Sequence, residues 1–230
     1  MNYLGDNRLR AEFFGTLCLV LIGCSSIVLT GFNTNIPLGF LAIAITFGFT
    51  VAAMAYAIGP ISGCHLNPAV TAAIWSAGRM NTADAIAYVV AQFIGAIAGA
   101  FILWLIIRGR LTGWDPATQG LGQNGWAQYG LASAIIAEFV GTVIFTIVIL
   151  AVTGPRGTPA MAGLIIGITL MLIHLAFIFV SGASVNPARS LAPALFVGGN
   201  ALAQVWMYLV VPTIGGLVGG WIVKSKTLDV

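Results

Sequence analysis

Two asparagines set directly before prolines, in Asn67-Pro68-Ala69 and Asn186-Pro187-Ala188, carry the most distinctive chemistry in this chain. Proline suits the first position of a helix, where its missing N–H is no loss. An asparagine before it caps that helix, its side-chain oxygen taking an orphan backbone N–H. Each box therefore starts a helix and leaves the amide NH2 donors free to point onward. A helix start also carries about half a positive charge. Two positive ends, two amide donors and no acid beside them make a poor cation site. They suit a neutral molecule that offers a lone pair.

Few other reactive groupings are present. The three cysteines, Cys18, Cys24 and Cys64, form no Cys-x-x-Cys and no metal-ligand spacing. Cys18 and Cys24 stand about 9 Å apart along a helix axis, too far to bridge. The two histidines, His65 and His174, lie in unrelated segments. An enzyme, a metal centre and a cofactor are all unexpected.

The elements that must position the boxes follow from composition. Of the 230 residues, 59% are apolar and 7% charged, against about 25% charged in ordinary globular chains. The mean hydropathy is +1.02. Such a surface must face lipid, which excludes a secreted disulfide scaffold, a disordered tail and a soluble domain. Nine Lys and Arg against six Asp and Glu give +3, too sparse a charge to track nucleic-acid phosphates. A span needs about 20 apolar residues, and six segments qualify: 9–30, 36–58, 82–107, 131–152, 159–180 and 202–223. The first is too long for a cleavable leader. Residues 67–77 and 186–197 are half as long, enough to enter a bilayer and not to cross it. With the N-terminus inside, Arg8, Arg10, Arg79, Arg156, Lys224 and Lys226 are cytoplasmic and, with Arg189 set aside because it lies in a short half-segment, only Arg108 and Arg110 fall outside, which fits the positive-inside rule.

The chain also repeats itself. Ala11-Glu12-Phe13-Phe14-Gly15-Thr16 returns as Ala137-Glu138-Phe139-Val140-Gly141-Thr142, and the Ser62–Thr71 stretch returns at 181–190. A third echo joins Gly95 and Gly99 to Gly215 and Gly219, small-residue helix-packing surfaces. The offsets are 126 (Ala11 to Ala137), 119 (Asn67 to Asn186) and 120 (Gly95 to Gly215). Three spans per half is an odd number, so the halves, about 8–107 and 131–223, insert with opposite polarity. This predicts one channel domain over 1–230, joined by an extracellular connection at 108–130, with both half-helix starts meeting near the midplane. The irregular stretches 62–66 and 181–185 then lie at membrane depth, where such backbone is tolerated if it is buried or lines a wet cavity. Their free carbonyls form a ladder of acceptors leading to the central donors, a path suited to a file of water. Glu12 and Glu138 are ionisable groups within spans, open to two readings: a proton relay, or acceptors that pin the irregular loops.

The paired boxes, the Ala-Glu-Phe-x-Gly-Thr starts and Ser184-Val185-Asn186-Pro187-Ala188-Arg189-Ser190 resemble the aquaporin (major intrinsic protein) family over about residues 8–223. Within that family the motifs resemble the bacterial aquaporin Z type. The resemblance implies an all-α bundle of six transmembrane helices and two re-entrant half-helices, one pore per subunit and a homotetramer, in a bacterial inner membrane. It implies Asn67 and Asn186 as water-orienting groups, with Pro68, Pro187, Glu12 and Glu138 supporting the half-helices. It implies pore-lining carbonyls at Gly63, Cys64, His65, Ser181, Gly182 and Ala183, and an outer filter of Phe47, His174, Ala183 and Arg189. Glycerol facilitators of the family resemble a different pattern, with Asp where this chain has Ser190. Water is the expected substrate; a facilitator of glycerol or ammonia and an ion-coupled transporter are the alternatives. Cys64, three residues before its asparagine, is placed near the pore wall.

Overall fold

The structure, a computed structural model, describes residues 6–29, 39–126 and 128–228, and among these it is all-helical. Six helices are long and apolar enough to cross a membrane: α1 (Asn7–Val28), α2 (Gly39–Ser62), α4 (Thr82–Arg108), α6 (Leu131–Val152), α7 (Pro159–Ser181) and α9 (Gly199–Lys224). Two short helices, α3 (Pro68–Ser76) and α8 (Pro187–Val197), begin at the box prolines. A single turn, α5 (Pro116–Gln119), interrupts the 108–130 connection; Asp115 caps it and Pro116 occupies its first position.

Several boundaries differ from the sequence expectation by one to four residues, and two of them bear on the loops before the boxes. Helix α2 runs through Pro60 to Ser62 rather than ending at 58, and α7 runs to Ser181. Proline near the end of a membrane helix is tolerated because neighbouring groups satisfy the freed carbonyl. The residues at 36–38, expected to open the second span, lie outside the described residues.

The halves are interlocked. Helix α1 packs along α4 and α6 along α9, while α3 of the first half seats on α9 of the second and α8 seats on α4. Glycine makes these approaches close. A Cβ on Gly95 would come 2.2 Å from the Phe13 carbonyl oxygen, and one on Gly216 would come 2.1 Å from that of Ala69. Helices α2 and α7 meet at Gly48 and Gly167, where each added Cβ would lie 2.5 Å from the other's carbonyl oxygen. That pair obeys the offset of 119 that relates Asn67 to Asn186, an echo the sequence reading did not pick out.

The half-helices run from opposite faces. Arg8 and Asp84, 3.2 Å apart, put the starts of α1 and α4 on one face. On that same side Arg79 donates to the Leu150 carbonyl at the end of α6, and Gly78, after α3, approaches Lys224. Phe196 of α8 instead packs on Phe101 and Trp104, toward the far end of α4. The outward surface is apolar, with Phe14, Ile86, Ile136 and Trp221 exposed, as lipid contact requires.

Candidate functional site

The site grows from the two box asparagines. Asn67 Oδ1 accepts from Ala69 N at 2.8 Å, and Asn186 Oδ1 accepts from Ala188 N at 3.1 Å and Arg189 N at 3.2 Å. Both cap as their sequence context predicted. Their NH2 groups are less free than expected. Asn67 Nδ2 donates to the Val185 carbonyl at 2.7 Å, and Asn186 Nδ2 donates to the Leu66 carbonyl at 2.9 Å. Each amide thus spends one proton stitching its half-helix to the opposite loop. One donor per asparagine remains, and both residues line a cavity between the helices.

The loops before the boxes are held in uncommon backbone shapes. Gly63, Cys64 and Leu66 have φ of 85°, 53° and 54°, and Gly182, Ala183 and Val185 follow at 78°, 47° and 44°. Left-handed backbone costs a non-glycine residue roughly 1–2 kcal/mol, most plainly at a β-branched valine, and needs an opposing force. The two buried glutamates supply it. Glu12 accepts from Ser62 Oγ (2.7 Å), His65 N (2.9 Å), Leu66 N (2.8 Å) and Gln92 Nε2 (2.7 Å). Glu138 accepts from Ser181 Oγ (2.7 Å), Ser184 N (2.8 Å) and Val185 N (2.8 Å). Drawing these N–H groups to one side turns the intervening carbonyls to the other. Neither carboxylate lines the cavity.

Three partners of these loops escaped the sequence reading. Tyr88 OH donates to the Ser62 carbonyl at 2.9 Å and Tyr208 OH to that of Ser181 at 2.7 Å. The offset of 120 that relates Gly95 to Gly215 also relates Tyr88 to Tyr208, so a signal existed. Gln92 has no such mate, because position 212 is Pro212.

Two cavities meet end to end. One, of about 230 Å³, runs past Asn67, Asn186, Gly63, Cys64 and His65, with Arg79 and Thr153 at its far end. The other, of about 610 Å³, lies under the 108–130 connection and includes Trp114, Asn124 and Gly182. Phe47, His174 and Arg189 line both and form the neck between them. The Phe47 and His174 rings stack with centroids 4.7 Å apart, and the Arg189 guanidinium carbon lies 4.9 Å from the Phe47 centroid. Arg189 Nη1 donates to the Gly122 carbonyl at 2.7 Å. His174 Nδ1 lies 2.9 Å from the Leu170 carbonyl, which can only accept, so Nδ1 carries a proton and, in the neutral imidazole, Nε2 is an acceptor. His174 Nε2 and Arg189 Nε are the buried side-chain polar atoms without a protein partner among the described residues. An acceptor and a donor are thereby left unspent in one neck.

The family described as Major intrinsic protein matches residues 6–223. The chain belongs to that family. Aquaporin Z of Photorhabdus laumondii is 44% identical over 222 residues, 94% of this chain and 96% of its own length. Aquaporin Z of Rhodopseudomonas palustris is 42% identical over 226 residues, covering 96% and 93%. Among solved structures, the aquaglyceroporin from Plasmodium falciparum superposes with a TM-score of 0.85 over 99% of this chain and 98% of its own, at 21% identity. That likeness shows the fold, while the family match and the aquaporin Z relatives, with the six apolar helices, make the chain a multi-pass membrane protein.

Within that fold, two expected site residues sit off the cavities. Ser181 is still helical, and its carbonyl takes the Tyr208 hydroxyl. It lines neither cavity. The irregular stretch thus starts one residue later than the sequence suggested, here as at Ser62 in the first half. Ala183 is buried between Gly182, on the outer cavity, and Ser184, on the inner one. Among the described residues no three of His, Cys, Asp and Glu gather where they could hold one metal ion.

Proposed function

We propose that this member of the major intrinsic protein family is a passive channel that conducts water in single file and turns back protons, ions and larger neutral solutes. The neck of Phe47, His174 and Arg189 between two cavities is the observation that carries the reading. The aquaporin Z relatives at 42% and 44% identity support it. A water molecule entering the neck loses part of its hydration shell, and the unspent His174 Nε2 and Arg189 Nε replace those bonds. A polyol would need more bonds and more width than two polar groups and an aromatic wall offer.

At the centre, a water oxygen accepts the one remaining N–H of Asn67 and that of Asn186. Both its lone pairs are then occupied and its protons point outward, toward carbonyls such as those of Gly63 and Cys64. Such a molecule cannot take up and pass on an incoming proton. Charge adds the larger barrier. Each half-helix start contributes about half a positive charge, Arg189 adds a full one at the neck, and stripping a cation costs several kcal/mol. Fixed arginine and half-helix dipoles are a known means of excluding protons and cations.

The same reading places the chain as a homotetramer in a bacterial inner membrane, with both termini cytoplasmic. Stopped-flow light scattering of proteoliposomes tests it. Fast shrinkage in sucrose with no re-swelling in glycerol is the expected result, and Arg189→Val should re-swell. Shrinkage at the rate of empty liposomes would refute the channel. Re-swelling of the wild type in glycerol would make it a solute facilitator instead.

A further inference from the structure

Arg189 is held from two sides, and the second side lies outside the helix bundle. Its backbone belongs to the first turn of α8. Its guanidinium is tethered to the carbonyl of Gly122, in the connection between α5 and α6. The neck is therefore only as fixed as that connection. Gly122 has φ 76°, and an added Cβ would lie 2.9 Å from Cys24 Cβ, so its carbonyl is presented by a tight backbone seat.

Two residues on, Asn124 is 4% exposed and turns both ends of its amide inward. Nδ2 donates to the Gly182 carbonyl at 3.0 Å, and Oδ1 accepts from Ser190 Oγ at 2.8 Å. Ser190 Oγ in turn pairs with Ser184 Oγ, which accepts from Asn186 N at 3.2 Å. A hydroxyl has one proton, and the Ser184 hydroxyl has two acceptors in reach, Ser190 Oγ and the Asn186 carbonyl at 2.9 Å. The network runs from Asn186 through Ser184 to Ser190, whose proton goes to Asn124 Oδ1, and on through the Asn124 NH2 to the Gly182 carbonyl. It starts at the box asparagine and ends on the loop that carries Ala183.

We infer that Asn124 is a positioning residue that sets the aperture of the Phe47–His174–Arg189 neck, by clamping the connection that bears Gly122 onto the second half-helix and its loop. Loss of the clamp lets Gly122 move away from Arg189. The guanidinium then swings into the wider cavity and the neck opens to small neutral solutes. The expected signature is a selectivity change rather than a loss of conduction.

The measurement is the ratio of glycerol to water permeability in proteoliposomes, for wild type, Asn124→Ala, Asn124→Asp and Ser190→Ala. Asn124→Asp keeps the acceptor for Ser190 and loses the donor to Gly182, whereas Ser190→Ala breaks the other arm. Each should raise the ratio about tenfold, the lower end of the discrimination carried by a methylene's worth of fit. The Asn124→Ala/Ser190→Ala pair should exceed the larger single effect little, since both cut one chain. Thr118→Ala is the control, its hydroxyl bonding only Asp115 within the same connection. An unmoved ratio, whether or not the melting temperature falls, overturns the clamp and leaves Asn124 a loop anchor. An equal rise in Thr118→Ala overturns it too. If Asn124→Ala yields little folded protein, Ser190→Ala decides alone. The inference rests on the water-channel reading: a wild type no faster than empty vesicles sinks both, and a fast one with an unmoved ratio sinks only the clamp.

Discussion

At Asn67 and Asn186 one amide group caps a helix, reaches across to the opposite loop and still offers a proton to the cavity. Removing it does more than delete a donor. Asn186→Ala uncaps α8, worth about 0.5–2 kcal/mol, and orphans the buried Leu66 carbonyl, worth about 1–3 kcal/mol. The melting temperature in detergent should drop, and pyranine-loaded vesicles should show a proton leak absent in wild type. A stable, proton-tight Asn186→Ala would argue against both roles. Cys64 lines the inner cavity while Cys24 is fully buried. Mercurials should therefore slow water flux, and Cys64→Ser should abolish that block; block retained in the variant would move the target elsewhere. Outside the spans, the hydrogen bonds from Arg8 hold the Asp6 carboxyl below its usual value of 3.8. A depressed folded-state value stabilises above the unfolded value and is lost as pH falls through the folded one. The difference in melting temperature between wild type and Asp6→Asn should accordingly be constant above about pH 5 and shrink below pH 4.

The half-helix is the element that makes the site, and its seat is a carboxylate. Glu138 takes two backbone N–H groups and a hydroxyl that would otherwise be unsatisfied in a protein interior. Glu138→Gln presents an NH2 where one oxygen accepted, so a donor faces a donor. The cost is about 1–3 kcal/mol, and it falls on the loop that carries Ala183. Reduced thermal stability together with slower water flux is expected; a variant equal to wild type in both would leave Glu138 free for another role. Helix contact is equally local. A side chain at Gly95 or Gly216 meets backbone oxygen within 2.2 Å, which no rotamer relieves. Gly216→Val should not yield folded protein, whereas a substitution at lipid-facing Ile86 should be neutral in a detergent melting assay.

For the whole molecule, the two faces of the bundle differ in charge. Arg8, Arg79 and Lys224 are gathered on the face where α1 and α4 begin. Taken as cytoplasmic, this face predicts that Ser225→Cys reacts with a membrane-impermeant maleimide in inverted vesicles and not in intact cells. Thr112→Cys, beyond α4, should do the opposite. The reverse labelling would invert the topology, though the neck would still separate the two cavities.

The sequence by itself determined that this chain spans a membrane six times, that its halves are related, and that each half breaks into a short helix at Asn-Pro-Ala. These rest on local physics: apolar length, caps and proline have the same effect wherever the chain folds. The pairing of Tyr88 with Tyr208 was also written there, in the 120-residue offset. Only the tertiary structure decided that each box amide spends one donor on the opposite loop, that Ser181 stays helical, and that Gly122 and Asn124 reach across to Arg189 and Gly182. Those contacts join residues about 60 to 120 positions apart. Their geometry depends on how closely glycine lets helices approach, which no local pattern records.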